Sequence, residues 1–146
     1  MNQVEIRFSA LLSNEAFART AIAAFCAQLN PSMEELVEIK TLVSEAVSNA
    51  IIHGYKMDGS RDVYVNANIT NKMVEIVVQD YGVGIEDIEL AMQPNFSSLK
   101  NKEHSGMGFT IMQTLADDLQ IRSVYGLGTK VIIKKKLMPV ELEEVM

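Results

Sequence analysis

The sequence predicts an α/β domain in two layers, with helices on one face of a mixed, mostly antiparallel sheet. Three observations support this prediction: alternating apolar residues near both ends of the chain, helical spacing of apolar residues between them, and a length of 146 residues, which suits one domain. The expected order is strand, two helices, two strands, a loop, a helix and two strands. That order favours the two-layer arrangement.

The chain begins with a predicted strand and a first helix. Apolar and polar residues alternate over residues 4–8, which is the period of a strand. Ser13 is the predicted N-cap of a helix that continues over residues 16–29. The Asn-Pro pair at residues 30–31 then interrupts the helix.

A longer second helix follows. Ser32 and Glu35 have the spacing of a capping box, in which each side chain bonds the backbone of the other residue. Gly54 lies near the expected end of this helix. Apolar residues recur on one face at Leu36, Ile39, Val43, Ala46, Val47 and Ala50.

Two strands and an irregular region come next. Residues 63–69 alternate between apolar and polar, and residues 73–78 form a more continuous apolar run after a short hairpin turn. Residues 85–92 are compatible with a short helix. Residues 93–104 are polar and contain a proline, which indicates a mobile loop.

The last part of the chain is predicted to hold a helix and two strands. The helix begins near Gly106, and the strands span residues 119–125 and 129–137. The acidic tail from Pro139 is expected to be frayed. The whole chain, residues 1–146, is therefore predicted to form a single domain.

Composition and charge argue against several classes of partner. Hydrophobic residues make up 48% of the chain and charged residues 22%, which is enough to build an ordinary core. The net charge is −6 without a sustained basic patch, so nucleic acid is not an expected partner. The three lysines at residues 134–136 are interpreted as a solvated strand end.

Cysteine and hydropathy patterns indicate the compartment. The lone Cys26 lies in an apolar stretch, where it is expected to be buried, and it cannot form an internal disulfide. No apolar run approaches the roughly 20 residues that cross a bilayer, and the N-terminus lacks the apolar region of a signal peptide. A cytoplasmic protein without membrane contact is expected.

The second helix carries a candidate polar pair. Glu45 and Asn49 are four residues apart, so they lie on one side of the helix, away from the centre of its apolar stripe. An amide oxygen suits Mg²⁺, and a carboxylate can accept a hydroxyl proton or position a nucleophile. Taken alone, such a pair is more often a solvated helix face.

Asp80 and two glycines form a second candidate motif. Asp80 ends an apolar strand, where its carboxylate can accept a hydrogen bond from an exocyclic amine such as that of adenine. Gly82 and Gly84 permit close backbone approach. An ordinary turn at the end of a strand is the alternative.

Two further glycine motifs complete the set. Ser105, Gly106 and Gly108 open a predicted helix, and unpaired amides at a helix N-terminus favour phosphate. The motif is neither a dinucleotide-binding fingerprint nor a Walker loop. Residues 126–129 could form a simple hairpin, or Thr129 could place a hydroxyl near a base.

In this order, the four motifs resemble the ATP-binding superfamily shared by gyrase, the ninety-kilodalton chaperone, histidine kinases and the mismatch-repair protein MutL. Residues 45–54 look like its N-box, and residues 80–84, 105–108 and 126–129 look like its three glycine boxes. The resemblance implies a Bergerat-type fold that binds ATP and Mg²⁺.

Four segments resemble one family within this superfamily, the anti-sigma F factors of endospore-forming bacteria. They are residues 8–10, 14–19, 38–55 and 105–112. That family is a dimeric serine kinase, which holds a sporulation sigma factor inactive and phosphorylates a small anti-anti-sigma protein. The resemblance therefore implies these two partners and a homodimer.

The resemblance also implies roles for individual residues. Glu45 would be the catalytic base, Asn49 the Mg²⁺ ligand, and Asp80 the residue that reads adenine. Arg19 would lie on the partner-binding surface. The other residues expected to bind the nucleotide are Gly82, Gly84, His104, Ser105, Gly106, Gly108 and Thr129.

His104 departs from the family, which usually has an arginine at this position to reach the terminal phosphate. Three alternatives therefore stay open: an ATP-gated sigma-binding protein without useful kinase activity, a general-stress anti-sigma kinase, and the catalytic fragment of a histidine kinase. The last is disfavoured, because the chain is too short for an attached dimerisation domain and a strand begins almost at Met1.

Overall fold

A computed structural model of the protein describes residues 1–93 and 108–138. The strands are β1 (Asn2–Ser9), β2 (Asp62–Thr70), β3 (Met73–Asp80), β4 (Asp118–Val124) and β5 (Gly128–Lys136). The α-helices are α1 (Glu15–Cys26), α2 (Met33–Asn49), α3 (Ile88–Ala91) and α4 (Gly108–Leu115). Short 3₁₀ turns span Leu12–Asn14 and Ala27–Leu29, and a π turn spans Ala50–Gly54.

The five strands form one sheet in the order β1-β2-β3-β5-β4, and each neighbouring pair is antiparallel. Helices α1 and α4 each pack against α2, which lies against the sheet. The predicted two-layer class is therefore confirmed. In this register the last residue of β3, Asp80, pairs with Thr129 near the start of β5.

A single hydrophobic core lies between the sheet and the helices. Alternate residues of β2, β3 and β5 point into it, and the apolar side of α2 faces them. Cys26 is fully buried in this core, as predicted, and burial raises the pKa of its thiol to about 12. None of the helices within the described ranges is long and apolar enough to cross a membrane.

Helix α2 begins and faces the core as its sequence predicts. Ser32 Oγ accepts a hydrogen bond from the Glu35 N–H at 3.1 Å, and the Glu35 carboxylate accepts one from the Ser32 N–H at 3.0 Å. The capping box is thus complete. Beyond Asn49, the helix widens into the π turn and ends at Gly54.

The predicted N-cap of the first helix is wrong. Ser13 lies within a 3₁₀ turn, and α1 begins at Glu15. Asn14 precedes the helix, but its side chain donates to the Ser9 carbonyl at 2.9 Å and caps no helical amide. The C-terminal end of the helix agrees better with its prediction. Residues 27–29 form a 3₁₀ turn after α1, and this turn ends at Asn30, whose backbone is in the left-handed region (φ 52°).

The interpretation of the lysine run is also wrong for its middle member. Lys135 is 8% exposed, because it shares the inward face of β5. Its Nζ donates to the Leu115 carbonyl at 2.9 Å and lies 3.4 Å from a carboxylate oxygen of Glu38. Lys135 therefore ties the end of α4 to α2, and the two flanking lysines face outwards.

Several predicted features lie outside the described residues. These are the loop beyond Gln93, the helix start near Gly106 with the neighbouring His104 and Ser105, and the tail from Pro139. The described part of the last helix begins at Gly108.

Candidate functional site

A cavity of about 1020 Å³ opens where α2, the end of β3 and the first residues of α4 meet. Side chains and glycines from all four sequence motifs line it. They include six of the predicted site residues: Glu45, Asn49, Asp80, Gly84, Gly108 and Thr129.

Helix α4 directs its first residue at the polar side of α2. A Cβ atom built on Gly108 would lie 3.0 Å from Glu45 Oε2 and 3.1 Å from Asn49 Nδ2. The glycine therefore keeps open a small space between the two helices. Gly108 is the first described residue of α4, and a helix N-terminus at this end of the cavity would suit an anion.

Asp80 forms the buried end of the cavity. It is 4% exposed, and its Oδ1 accepts a hydrogen bond from the Gly82 N–H at 2.9 Å. Burial raises the pKa of Asp80 to about 6, although hydrogen bonds from the backbone of Gly82 and Thr129 and the charge of Arg61 act in the opposite direction. A buried carboxylate of this kind is a strong hydrogen-bond acceptor for a ligand that enters the cavity.

Glycines at the end of α2 and after β3 allow the two segments to touch. A Cβ atom on Gly54 would lie 2.7 Å from the Asp80 carboxylate, and one on Gly82 would lie 2.0 Å from the Gly54 carbonyl oxygen. The next residue, Val83, donates its N–H to that same carbonyl at 2.9 Å. Gly82 thus lies behind Asp80 and supports the cavity wall.

A hydroxyl network holds the cavity wall next to Asp80, where Thr129 pairs with Asp80 in the sheet. Thr129, 8% exposed, has its Oγ1 2.8 Å from Ser123 Oγ. Ser123 also accepts from the Ile85 N–H at 2.7 Å, which fixes the chain just after Gly84. Gly84 itself has a φ of +75° and packs against the Val124 carbonyl. Sequence reasoning missed Ser123, because a serine in an alternating strand carries no distinguishing signal.

Arg19 lies away from the cavity, on α1. Its side chain is 40% exposed and its Nη1 lies 2.6 Å from Glu15 Oε2. The other oxygen of Glu15 accepts from the hydroxyl of Ser44, the residue before Glu45. Arg19 is therefore a surface residue that is paired with Glu15 on the same helix, and Glu15 is in turn hydrogen-bonded to Ser44 of α2.

The chain matches a protein family and named relatives over most of its length. The model of the family described as "Histidine kinase-like ATPase domain" matches residues 8–135. Proteins named "Anti-sigma F factor" from Shouchella clausii and Bacillus licheniformis are each 50% identical over 93% of both chains. A protein of the same name from Clostridium perfringens is 49% identical over 93% of this chain and 97% of its own.

A solved structure shares the fold. The RsbU and RsbW domains of a Mycobacterium tuberculosis protein superpose with a TM-score of 0.66 at 18% identity, over 94% of this chain and 32% of that one. The match at this identity concerns the fold alone. The family match and the relatives show that the chain belongs to the anti-sigma F factor family of histidine kinase-like ATPase domains.

Proposed function

We propose that this protein is an ATP-dependent serine kinase that also sequesters a sporulation sigma factor. Its phosphoryl acceptor would be a serine of an anti-anti-sigma protein. The observation that carries the proposal is the placement of Gly108, the first described residue of α4, against Glu45 and Asn49 in a cavity that ends at the buried Asp80. The relatives' name, anti-sigma F factor, supports the sigma-factor partner.

The adenine of ATP would bind at the Asp80 end of the cavity. An ionised carboxylate offers only acceptors, so it matches the exocyclic amine of adenine and is mismatched to the carbonyl of guanine. The hydroxyl of Thr129, held by Ser123, would lie beside the base. Gly84 completes the wall at this end.

The phosphates would bind at the other end, towards α4. Gly108 leaves room beside Asn49, and the predicted start of the helix near Gly106 would offer amides to anionic oxygens. The predicted contacts of His104, Ser105 and Gly106 belong to this end, and they stay predictions because these residues lie outside the described ranges.

The cavity is acidic, which supports a requirement for a cation. Among the described lining residues, Lys56 is the one lysine or arginine, and the carboxylates are Glu45, Asp80, Glu86, Asp87 and Glu89. Nowhere in residues 1–93 and 108–138 do three His, Cys, Asp or Glu side chains form a possible metal cage. Mg²⁺ suits this setting, because it takes few protein ligands and binds phosphate and water. Asn49 would supply its protein oxygen.

Glu45 would act on the acceptor serine. Its carboxylate lies beside the space in front of α4, where the terminal phosphate is expected. As the serine oxygen bonds to the terminal phosphorus, the bond to the bridging oxygen breaks and ADP leaves. Glu45 would position the hydroxyl and accept its proton. Mg²⁺ would neutralise charge on the phosphates.

Partner binding is proposed to involve Arg19 and a second copy of the chain. Arg19 is accessible on α1, and its ion pair with Glu15 orients the guanidinium. The sigma factor and the anti-anti-sigma protein would both contact this surface of a homodimer.

The catalytic role is tested with labelled ATP and a candidate anti-anti-sigma protein. Glu45→Gln should keep ATP affinity and lower phosphoryl transfer by about 10²–10⁴-fold. Glu75→Gln is the matched control, because Glu75 lies on the outer face of the sheet near Lys134. Near-normal transfer by Glu45→Gln would reject the assignment.

The same assay separates the alternatives. An ATP-gated sigma-binding protein would bind the sigma factor in the presence of ATP but phosphorylate nothing. The substitution of His104 for the family's arginine is the feature that favours this alternative. A general-stress anti-sigma kinase would instead phosphorylate a different anti-anti-sigma protein.

A further inference from the structure

Two side chains hold the backbone of Tyr81, the residue between Asp80 and Gly82. The Tyr55 hydroxyl accepts a hydrogen bond from the Tyr81 N–H at 2.8 Å and donates to the Asp62 carbonyl at 2.5 Å. Arg61 Nη2 donates to the Tyr81 carbonyl at 2.7 Å. We call Tyr55 and Arg61 together the Tyr81 clamp.

The two members of the clamp also contact each other. The Arg61 guanidinium carbon lies 4.9 Å from the centroid of the Tyr55 ring, a cation–π contact, and Tyr55 is 5% exposed. The ring of Tyr81 packs edge-on against Tyr64 at 5.6 Å. The clamp is therefore a connected unit rather than two separate hydrogen bonds.

The clamp lies outside the proposed nucleotide cavity. Tyr55, Arg61 and Tyr81 line a second, shallower concavity of about 480 Å³, and none of them lines the larger one. The two concavities share Gly54, Val83 and Tyr125 as a common wall. The clamp would therefore act on a bound nucleotide indirectly, through the backbone next to Asp80 and through the charge of Arg61.

The planarity of the peptide bond explains how the clamp acts through the backbone. The Tyr81 carbonyl and the Gly82 N–H belong to the same rigid peptide plane. Arg61 holds the carbonyl, and the N–H on the opposite side of the plane donates to Asp80 Oδ1 at 2.9 Å. Rotation of this plane would remove the donor that orients the Asp80 carboxylate.

Tyr55 holds the preceding peptide plane in the same way. The strand pairing of β3 ends at Asp80, so the Tyr81 N–H has no partner in the described sheet. The Tyr55 hydroxyl supplies that partner. Losing it would leave a polar backbone group unsatisfied at the point where the chain turns towards Gly82.

We propose that Tyr55 and Arg61 are positioning residues for adenine recognition, which orient the Asp80 carboxylate without touching the nucleotide. This inference rests on the proposed function, because it takes Asp80 as the residue that reads adenine. The charge of Arg61 also favours adenine recognition, because it opposes the effect of burial and lowers the pKa of Asp80. An ionised Asp80 is the form that accepts from the adenine amine.

The test measures the affinities of the full chain for ATP, GTP and ADP in Tyr55→Phe, Arg61→Met and Arg61→Lys. Loss of one hydrogen bond at a recognition site corresponds to about a ten-fold effect. We expect Tyr55→Phe and Arg61→Met to lower the preference for ATP over GTP by about ten-fold. The ATP-to-ADP ratio should not change, and Arg61→Lys should retain part of the preference.

Arg122→Met is the matched control, because Arg122 is an exposed residue of β4, and β4 pairs with β5 at the far edge of the sheet. A lower melting temperature with an unchanged ATP-to-GTP ratio in Arg61→Met would mean a purely structural role and would overturn the inference. If Tyr55→Phe does not fold, the two Arg61 variants decide the matter.

An Asp80→Asn variant separates this inference from the proposed function. If Asp80→Asn lowers the ATP preference and the clamp variants do not, the inference fails and the role of Asp80 stands. If Asp80→Asn leaves the preference unchanged, the assignment of Asp80 fails and the inference fails with it.

Discussion

Gly108 lies directly against Glu45: a Cβ atom on Gly108 would be 3.0 Å from Glu45 Oε2. These two residues come from α4 and α2, and they are 63 positions apart in the sequence. Their proximity defines the space in which a terminal phosphate and an acceptor hydroxyl are expected to meet. The first prediction follows from this distance.

Gly108→Ala should separate stability from activity. Alanine favours a helix interior over glycine by about 1 kcal/mol, and the added Cβ meets only the side-chain ends of Glu45 and Asn49, so the free energy of unfolding should change by less than about 1 kcal/mol. The added methyl group would push against Glu45 and Asn49, so ATP affinity and phosphoryl transfer should both fall. Thermal melting and nucleotide titration measure the two effects. An unchanged affinity for ATP would contradict the expected position of the phosphates.

Asn49→Ala should remove the dependence of ATP affinity on Mg²⁺. Asn49 is half-buried at the cavity and is not part of the core, so the melting temperature should change little. The measurement compares ATP affinity with Mg²⁺ and with a chelator, in the parent and in the variant. Thr41→Ala is a control on the same helix, because the Thr41 hydroxyl donates to the Val37 carbonyl at 2.9 Å and Thr41 does not line the cavity. A variant that still gains affinity from Mg²⁺ would exclude Asn49 as the ligand.

Asp80 should make the folded protein less stable as pH rises. Its pKa is about 6 in the folded protein against 3.8 in the unfolded reference, so between these values the folded state binds more protons than the unfolded state. The free energy of unfolding contributed by Asp80 therefore falls from about pH 4 to about pH 6, by about 3 kcal/mol in total.

Asp80→Asn isolates this contribution from those of other groups. The variant should be similar to the parent near pH 4 and more stable than the parent at pH 7, because an amide cannot ionise. Urea denaturation at several pH values measures the difference between the two proteins. Parallel curves for parent and variant across this range would contradict the raised pKa.

Arg19→Gln should weaken binding to the sigma factor and to the anti-anti-sigma protein while ATP affinity stays the same. Glutamine is preferable to glutamate here, because a glutamate at position 19 would face Glu15 and destabilise α1 by itself. Lys40→Gln is a suitable control, since Lys40 is an exposed cation on α2. Binding of both partners at parental affinity would remove Arg19 from the proposed surface.

The sequence predicts best those features that depend on local chemistry. The capping box of Ser32 and Glu35 and the apolar face of α2 are local patterns, and the structure contains both. Ser13 misleads, because the preceding 3₁₀ turn shifts the helix start to Glu15. A 3₁₀ turn and the first turn of an α-helix have similar local sequences, so the sequence does not fix the residue at which α1 begins.

Features that depend on tertiary contacts are harder to predict, although the periodicity of a strand indicates one of them. Lys135 continues the inward alternation of Val131, Ile133 and Leu137, so strand periodicity indicates its burial better than the lysine run does. The hydrogen bonds of Tyr55 to Tyr81 and of Ser123 to Thr129 join segments that no local pattern connects. Such partners emerge only once the sheet register is known.

The contact between Gly54 and Gly82 shows that a glycine of these motifs can be needed for folding as well as for nucleotide binding. A Cβ atom on Gly82 would overlap the Gly54 carbonyl, and one on Gly54 would overlap the Asp80 side chain, before any nucleotide is bound. Gly82 is therefore required for the chain to close on itself, because the atom that its Cβ would overlap belongs to the backbone. A descendant that no longer used ATP would still have to keep Gly82 in order to fold, whereas Gly54 is required only as long as Asp80 is present. At Gly108, by contrast, the nearest atoms are the movable side-chain ends of Glu45 and Asn49. In a lineage that loses ATP binding, a substitution at Gly108 would therefore be expected before one at Gly82.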